Sequence, residues 1–167
     1  MRGLKVYQKH VAFWGSPFSN FHNCTFVYDG VQWKSSEQCF MAMKAKHFKD
    51  EESYERILES KTPKEAKALG RKVKNFNFSW NKVSESVMFE VVLAKFSQND
   101  DLRSLILGED FKGKKFVEGS PSDTKWGVGM RYTNPAIDDE SKWEGSNLLG
   151  KVLDKVREQL QNNPSRY

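Results

Sequence analysis

Apolar positions along this chain recur mostly at helical spacing, with a few short runs that alternate as strands do. Thr25-Phe26-Val27-Tyr28 and Val31-Gln32-Trp33 flank Asp29-Gly30, a dipeptide that favours a type I′ turn, so a β-hairpin is the first ordered piece predicted. A helix follows at once, from Ser36 to about His47, with Ser35 as N-cap and Gln38 completing a capping signal. A polar helix is expected from about Asp50 to Ser60. Thr62-Pro63-Lys64-Glu65 is a second capping box with proline at the first helical position, and Gly70 ends that short helix. The longest helix runs from about Asn81 to Ser97, where Val83, Val87, Met88, Val91 and Phe96 recur on one face. Asp100 is placed to cap a short helix carrying Leu102, Leu105 and Ile106. Lys115-Phe116-Val117-Glu118 reads as a strand and leads into a glycine-rich polar loop from Gly119 to Asn134. A final helix begins near Asn147 and buries Leu148, Leu149, Val152, Leu153, Val156 and Leu160. The pattern predicts an α+β fold, mostly α-helical, with an N-terminal hairpin and a few short strands.

Composition narrows the class. With 167 residues and neither linker nor repeat, a single domain over residues 1–167 is expected. The 38% hydrophobic and 29% charged residues make a globular balance rather than a disordered one. A net charge of +5 suits an anionic ligand, but no long basic run or repeated module marks a sequence-specific DNA reader. Cys24 and Cys39 make no disulfide framework, no signal peptide precedes them, and no apolar run approaches a membrane span. A cytoplasmic location without membrane contact is expected. His10, His22 and His47 are scattered, so neither a metal nor a cofactor is expected.

Three groups of residues carry candidate chemistry. The run Cys39-Phe40-Met41-Ala42-Met43 is apolar on every side, which predicts a buried helix. Glu37 and Lys44 bracket that run, nearly two turns apart on a similar face and about 10 Å apart along the axis. A buried carboxylate is costly unless it is paired or used. The plainer alternative has Glu37 bonded to backbone and Lys44 reaching solvent. The second group, from Ser122 to Gly129, joins Asp123 and Trp126 to Gly127 and Gly129; it reads as a ligand loop or as a turn packed on its own tryptophan. The third, Ser16 to Phe21, offers Ser19 and Asn20 for phosphate or ribose hydroxyls, or is a loop tied down by its phenylalanines. Arg71 is a candidate phosphate anchor.

Taken in order, these pieces resemble the YbiA-like family, also called NADAR. The resemblance rests on Phe18-Ser19-Asn20-Phe21, Trp33, Ser36-Glu37-Gln38-Cys39-Phe40, Lys44, Ala68-Leu69-Gly70-Arg71, Trp80, Met88 and Ala94-Lys95-Phe96. It continues through Glu118, Asp123, Trp126-Gly127-Val128-Gly129, Trp143-Glu144-Gly145, Asn147-Leu148-Leu149-Gly150 and Arg157. Cys39 departs from the aromatic residue that relatives often carry. Val128, acidic in some relatives, leaves Asp123 as the acidic residue of its loop.

The resemblance implies a hydrolase of N-glycosidic bonds between a base or amine and a phosphorylated ribose. Two substrate classes are implied: ADP-ribose on guanine of DNA or RNA, and a phosphoribosylaminopyrimidine of riboflavin synthesis. Glu37 is then the catalytic carboxylate and Asp123 a second carboxylate or a holder of ribose hydroxyls. Lys44 is a catalytic candidate as well, because a desolvated amine can form a Schiff base with the opened sugar. Trp80, Trp126, Gly127 and Gly129 join Ser19, Asn20 and Arg71 as candidate substrate contacts. The rival classes are a non-catalytic module binding ADP-ribose or NAD and a nucleic-acid-binding protein. The sequence leaves the oligomeric state open.

Overall fold

The capping signals are read out locally, but two of them close differently from the simple box. The computed structural model describes residues 1–166. The helices are α1 (Ser36–His47), α2 (Glu51–Glu59), α3 (Pro63–Gly70), α4 (Ser79–Gln98), α5 (Asp100–Ile106) and α6 (Leu148–Asn162). The strands are β1 (Leu4–Val6), β2 (His10–Phe13), β3 (Phe26–Tyr28), β4 (Val31–Trp33) and β5 (Lys115–Glu118). The fold is α+β and mostly helical. Contacts group the chain into a contiguous unit, residues 20–99, and a discontinuous unit made of residues 1–19 and those from 100 onward.

In the contiguous unit β3 and β4 pair antiparallel with Phe26 opposite Trp33. Asp29 and Gly30 have φ of 54° and 73°, the left-handed pair that a type I′ turn requires. Ser35 Oγ accepts from the Gln38 amide at 3.1 Å. The Gln38 side chain does not return the bond: its Oε1 accepts from the Lys34 amide, and its Nε2 donates to the carbonyls of Ile57 and Leu58. The residue that read as half of a cap thus ties α1 to the end of α2. Likewise Thr62 Oγ1 accepts from the Glu65 amide, while Glu65 reaches back to the Lys61 amide.

Helix α1 is buried on nearly every side, as its apolar run predicted, and packs against α2, α3 and α4. Helix α4 differs from the sequence reading. Val83 is exposed and Val87 half-buried, whereas Trp80, Ser84, Met88, Val91, Val92, Lys95 and Phe96 face the core. A serine and a lysine hold core positions, so counting apolar residues alone rotated the predicted face.

In the discontinuous unit the sheet order is β1-β2-β5, with β1 antiparallel to β2 and β2 parallel to β5. The hairpin is therefore not the first ordered piece. Val11, Ala12 and Phe13 are all 0% exposed, so β2 shows no alternation, and its parallel partner lies a hundred residues away. A local pattern cannot report such a pairing. Phe18 packs among Phe13, Phe111 and Phe116, with ring centroids 5.9, 5.7 and 4.7 Å away.

Strand β5 turns the backbone groups of Phe116 and Glu118 away from β2, and all four find partners. The Phe116 amide donates to Asp154 Oδ1 at 2.9 Å, and the Phe116 carbonyl accepts from Asn147 Nδ2 at 3.0 Å. The Glu118 amide donates to Asn147 Oδ1 at 3.0 Å, and the Glu118 carbonyl accepts from the Val128 amide at 3.2 Å. Asn147 and Asp154 belong to the start and middle of α6, which is how that helix is anchored to the sheet.

Candidate active site

Glu37 sits in the first turn of α1 with only 7% of its surface exposed. A negative group suits that position, because the unpaired amides of a helix N-terminus carry partial positive charge. Its backbone amide donates to the Asn20 carbonyl at 3.0 Å. Ser36 Oγ donates to Asn20 Oδ1 at 2.9 Å, and Asn20 Nδ2 lies 3.4 Å from Met88 Sδ. Asn20 is thus a buried bracket that fixes the N-terminus of α1, the backbone that carries Glu37.

Seven residues on, the half-buried Lys44 donates from Nζ to the Gly70 carbonyl at 2.9 Å and lies 5.2 Å from the Phe76 ring centroid. Close packing of α3 on α1 makes that bond possible. A Cβ at Gly70 would stand 2.0 Å from Met41 Sδ, so a larger residue would require the Met41 side chain to move aside. Arg71, directly after α3, is exposed. Trp80 is buried, with ring centroids 5.3 Å from Phe40 and 5.5 Å from His47, and so forms part of the aromatic core of this unit.

The remaining candidates lie in the discontinuous unit. Ser19 is buried and its amide donates to the Ser16 carbonyl at 2.9 Å, closing a tight turn over residues 16–19. Asp123 Oδ1 accepts from the amides of Lys125 and Trp126, at 3.0 and 2.8 Å. One oxygen of this carboxylate therefore closes its own loop, as an aspartate does in an Asx-turn. Gly129 has φ of 72° and donates its amide to the Asp123 carbonyl at 3.3 Å, which a side-chain-bearing residue would adopt only under strain. Gly127 packs against backbone as well, and its carbonyl accepts from the Asn147 amide at 3.0 Å. Trp126 is half-buried, with Lys125 Nζ 5.5 Å from its ring. The loop is self-supporting around the aspartate, tryptophan and two glycines.

The sequence reading gave Lys95 no role of its own, yet its side chain is 0% exposed in α4. Burial pushes its ammonium pKa down from 10.5 to about 8. No local pattern signals this beyond the helical spacing Trp80, Ser84, Met88, Val91, Lys95, which puts it on the buried face. The sign of its effect is fixed by linkage. Between pH 8 and 10.5 the unfolded chain holds this proton more than the folded chain does, so stability rises with pH through that range. From pH 8 to 9 Lys95 alone contributes a gain of about 1 kcal/mol, of which roughly a third is taken back by the buried Cys39 thiol, raised above its ordinary 9.0, because the unfolded thiol is already ionising in that range. Urea midpoints at the two pH values should show this rise in the natural protein and not in Lys95→Met.

Among the described residues no group of three or more His, Cys, Asp or Glu is placed to hold a metal ion, and no helix is long and apolar enough to cross a membrane.

A family model described as the NADAR domain matches residues 7–161, running through both units. The N-glycosidase R617 of Acanthamoeba polyphaga mimivirus is 42% identical over 132 residues, which cover 78% of this chain and 76% of the viral protein. The N-glycosidase YbiA of Escherichia coli is 35% identical over 144 residues, covering 86% of this chain and 80% of that protein. Protein irg-1 of Caenorhabditis elegans is 41% identical over 133 residues; these cover 78% of this chain but only 62% of the worm protein's length. The NMR structure of E. coli YbiA matches with a TM-score of 0.76 at 30% identity, covering 99% of this chain and 93% of that one.

Proposed function

Because this chain belongs to the NADAR domain family, we propose that it hydrolyses the N-glycosidic bond between a base or amine and a phosphorylated ribose. The observation that carries the reading is Glu37, a carboxylate 7% exposed and fixed at a helix N-terminus, in a chain whose relatives include named N-glycosidases. Breaking such a bond spreads positive charge over C1 and the ring oxygen of the ribose. A carboxylate held beside that carbon stabilises the charge and can take a proton from the attacking water. The Asn20 bracket holds the backbone from which the Glu37 side chain projects. In the unit that carries Glu37, a phosphate contact falls to Arg71, whose guanidinium is solvent-exposed.

Lys44 supports a second route, because its amine is held at 2.9 Å from the Gly70 carbonyl rather than left to swing in solvent. Once deprotonated, the amine adds to C1 as the C1–N bond breaks and the base departs with a proton supplied by Glu37 in its protonated form. Glu37 then takes a proton from the attacking nitrogen and passes it to the ring oxygen as the C1–ring-oxygen bond breaks, leaving a protonated imine between Lys44 and the opened sugar. Water then hydrolyses the imine, releasing the sugar and restoring the lysine. Reduction with borohydride during turnover distinguishes the routes. The covalent route predicts a sugar-phosphate mass on the protein that Lys44→Arg lacks; near-normal turnover by Lys44→Arg excludes that route.

The substrate classes are separated by incubating the protein with an oligonucleotide carrying ADP-ribosylated guanine and, separately, with a phosphoribosylaminopyrimidine. Released ADP-ribose or ribose phosphate is followed by mass spectrometry. Release from one substrate alone names the branch. If neither is cleaved while ADP-ribose still binds, the hydrolase reading fails and a binding module replaces it.

A further inference from the structure

Trp14 follows directly on β2, yet its indole is 55% exposed. Large aromatic side chains are seldom left in water without a partner to meet. Trp14 lines a cleft of about 610 Å³ in the discontinuous unit, together with Arg2, Pro121, Arg131 and Tyr132. That volume is within the roughly 300–1,000 Å³ typical of small-ligand sites. No aspartate or glutamate lines the cleft. Both guanidinium groups are solvent-exposed, and among the described residues neither has a carboxylate at salt-bridge distance.

The walls are tied to the sheet rather than hung on free loops. The Trp14 amide donates to the Gly3 carbonyl at 2.9 Å, and the Gly119 amide donates to the Phe13 carbonyl at 2.8 Å. Tyr7 Oη donates to the Tyr132 carbonyl at 2.8 Å, fixing the third wall. A preformed cleft with exposed aromatic surface, two unpaired cations and no acid has a definite chemical complement. An inorganic phosphate would leave the indole unused, and an apolar ligand would leave the guanidiniums unused. A nucleic-acid strand satisfies both, because each base offers a flat face and each linkage a phosphate. The chain's net charge of +5 adds long-range attraction for the same partner.

We propose that this cleft is a docking site for single-stranded nucleic acid, with a base stacked on Trp14 and successive phosphates on Arg2 and Arg131. The inference does not rest on hydrolysis. It concerns residues to which no step of the proposed chemistry is assigned, and an unmodified strand tests it whether or not the protein cleaves anything.

The test is fluorescence anisotropy with a labelled twelve-nucleotide single-stranded DNA of mixed sequence, measured over a range of salt. Trp14→Ala should weaken binding by about tenfold or more, the loss typical of one stacked base, while Trp14→Phe should keep most of the affinity. Arg2→Ala combined with Arg131→Ala should flatten the slope of log affinity against log salt by about 1.4, roughly 0.7 for each phosphate contact in a single strand. All three side chains are exposed, so these variants should melt with the natural protein, and matched melting curves establish that the losses are local. Affinity unchanged in Trp14→Ala and in the double variant overturns the proposal. So does competition by adenosine monophosphate as effective, mole for mole, as the unlabelled strand, since that would make the cleft a free-nucleotide site.

Discussion

Glu37→Gln should lower turnover by about 10²–10⁴-fold while leaving the folded protein nearly as stable as before. The substitution keeps the size and shape of the side chain, removes its charge and its capacity to take a proton, and turns one acceptor oxygen into a donor. The backbone bracket is untouched, because the bond to the Asn20 carbonyl comes from the Glu37 amide and not from its side chain. Two small terms oppose each other in stability. Loss of the negative charge at the helix N-terminus costs about 0.3–1 kcal/mol. Burying an amide instead of a carboxylate is cheaper and offsets that cost. Turnover and the thermal midpoint measured on one preparation decide the matter. A large loss of turnover at a constant midpoint supports the assigned role; full turnover in the variant removes it.

Asn147→Ala should be the most damaging small substitution in the discontinuous unit, costing about 3–8 kcal/mol. Asn147 is 3% exposed, and its one amide group serves both the Phe116 carbonyl and the Glu118 amide. Truncation strands two main-chain groups, at about 1–3 kcal/mol each. Its backbone φ of 52° adds a further cost of about 1–2 kcal/mol for an alanine, which lacks the local polar contacts that make asparagine tolerant there. Asn147→Gly separates the two contributions, because it loses the hydrogen bonds but tolerates the backbone. Urea unfolding should rank natural protein, Asn147→Gly and Asn147→Ala in descending order. Against a typical stability of about 5–15 kcal/mol the alanine variant stands close to unfolding. A cost below about 1 kcal/mol would show that water replaces the lost partner.

What was legible in the sequence was legible for local reasons. The β3–β4 hairpin, the caps at Ser35 and Thr62, strand β5 and the buried face of α6, except for the half-buried Leu148, depend on residues within a few positions of one another, and they stand where the pattern put them. Strands β1 and β2 were missed because β2 is buried along its whole length and its parallel partner is remote. The buried face of α4 was rotated because Ser84 and Lys95 hold core positions that polarity alone assigns to solvent. For the candidate site, burial of Glu37 followed from the apolar run beside it. That Asn20 is the bracket for α1, or that Asp123 spends an oxygen on its own loop, depends on side-chain geometry that spacing does not encode.

The hydrogen-bonded margin of β5 has a consequence for the protein in company. A strand at the border of a sheet ordinarily presents a row of open donors and acceptors, on which a strand of another chain can build. Here Asn147, Asp154 and the Val128 amide occupy that row at Phe116 and Glu118, so nothing extended can add to it. The sheet can recruit a further strand only along β1, which is three residues long and carries Lys5 at its centre. Crowded solutions should therefore leave these molecules separate at this border, and a chain that lost Asn147 would expose a template for aggregation as well as losing stability.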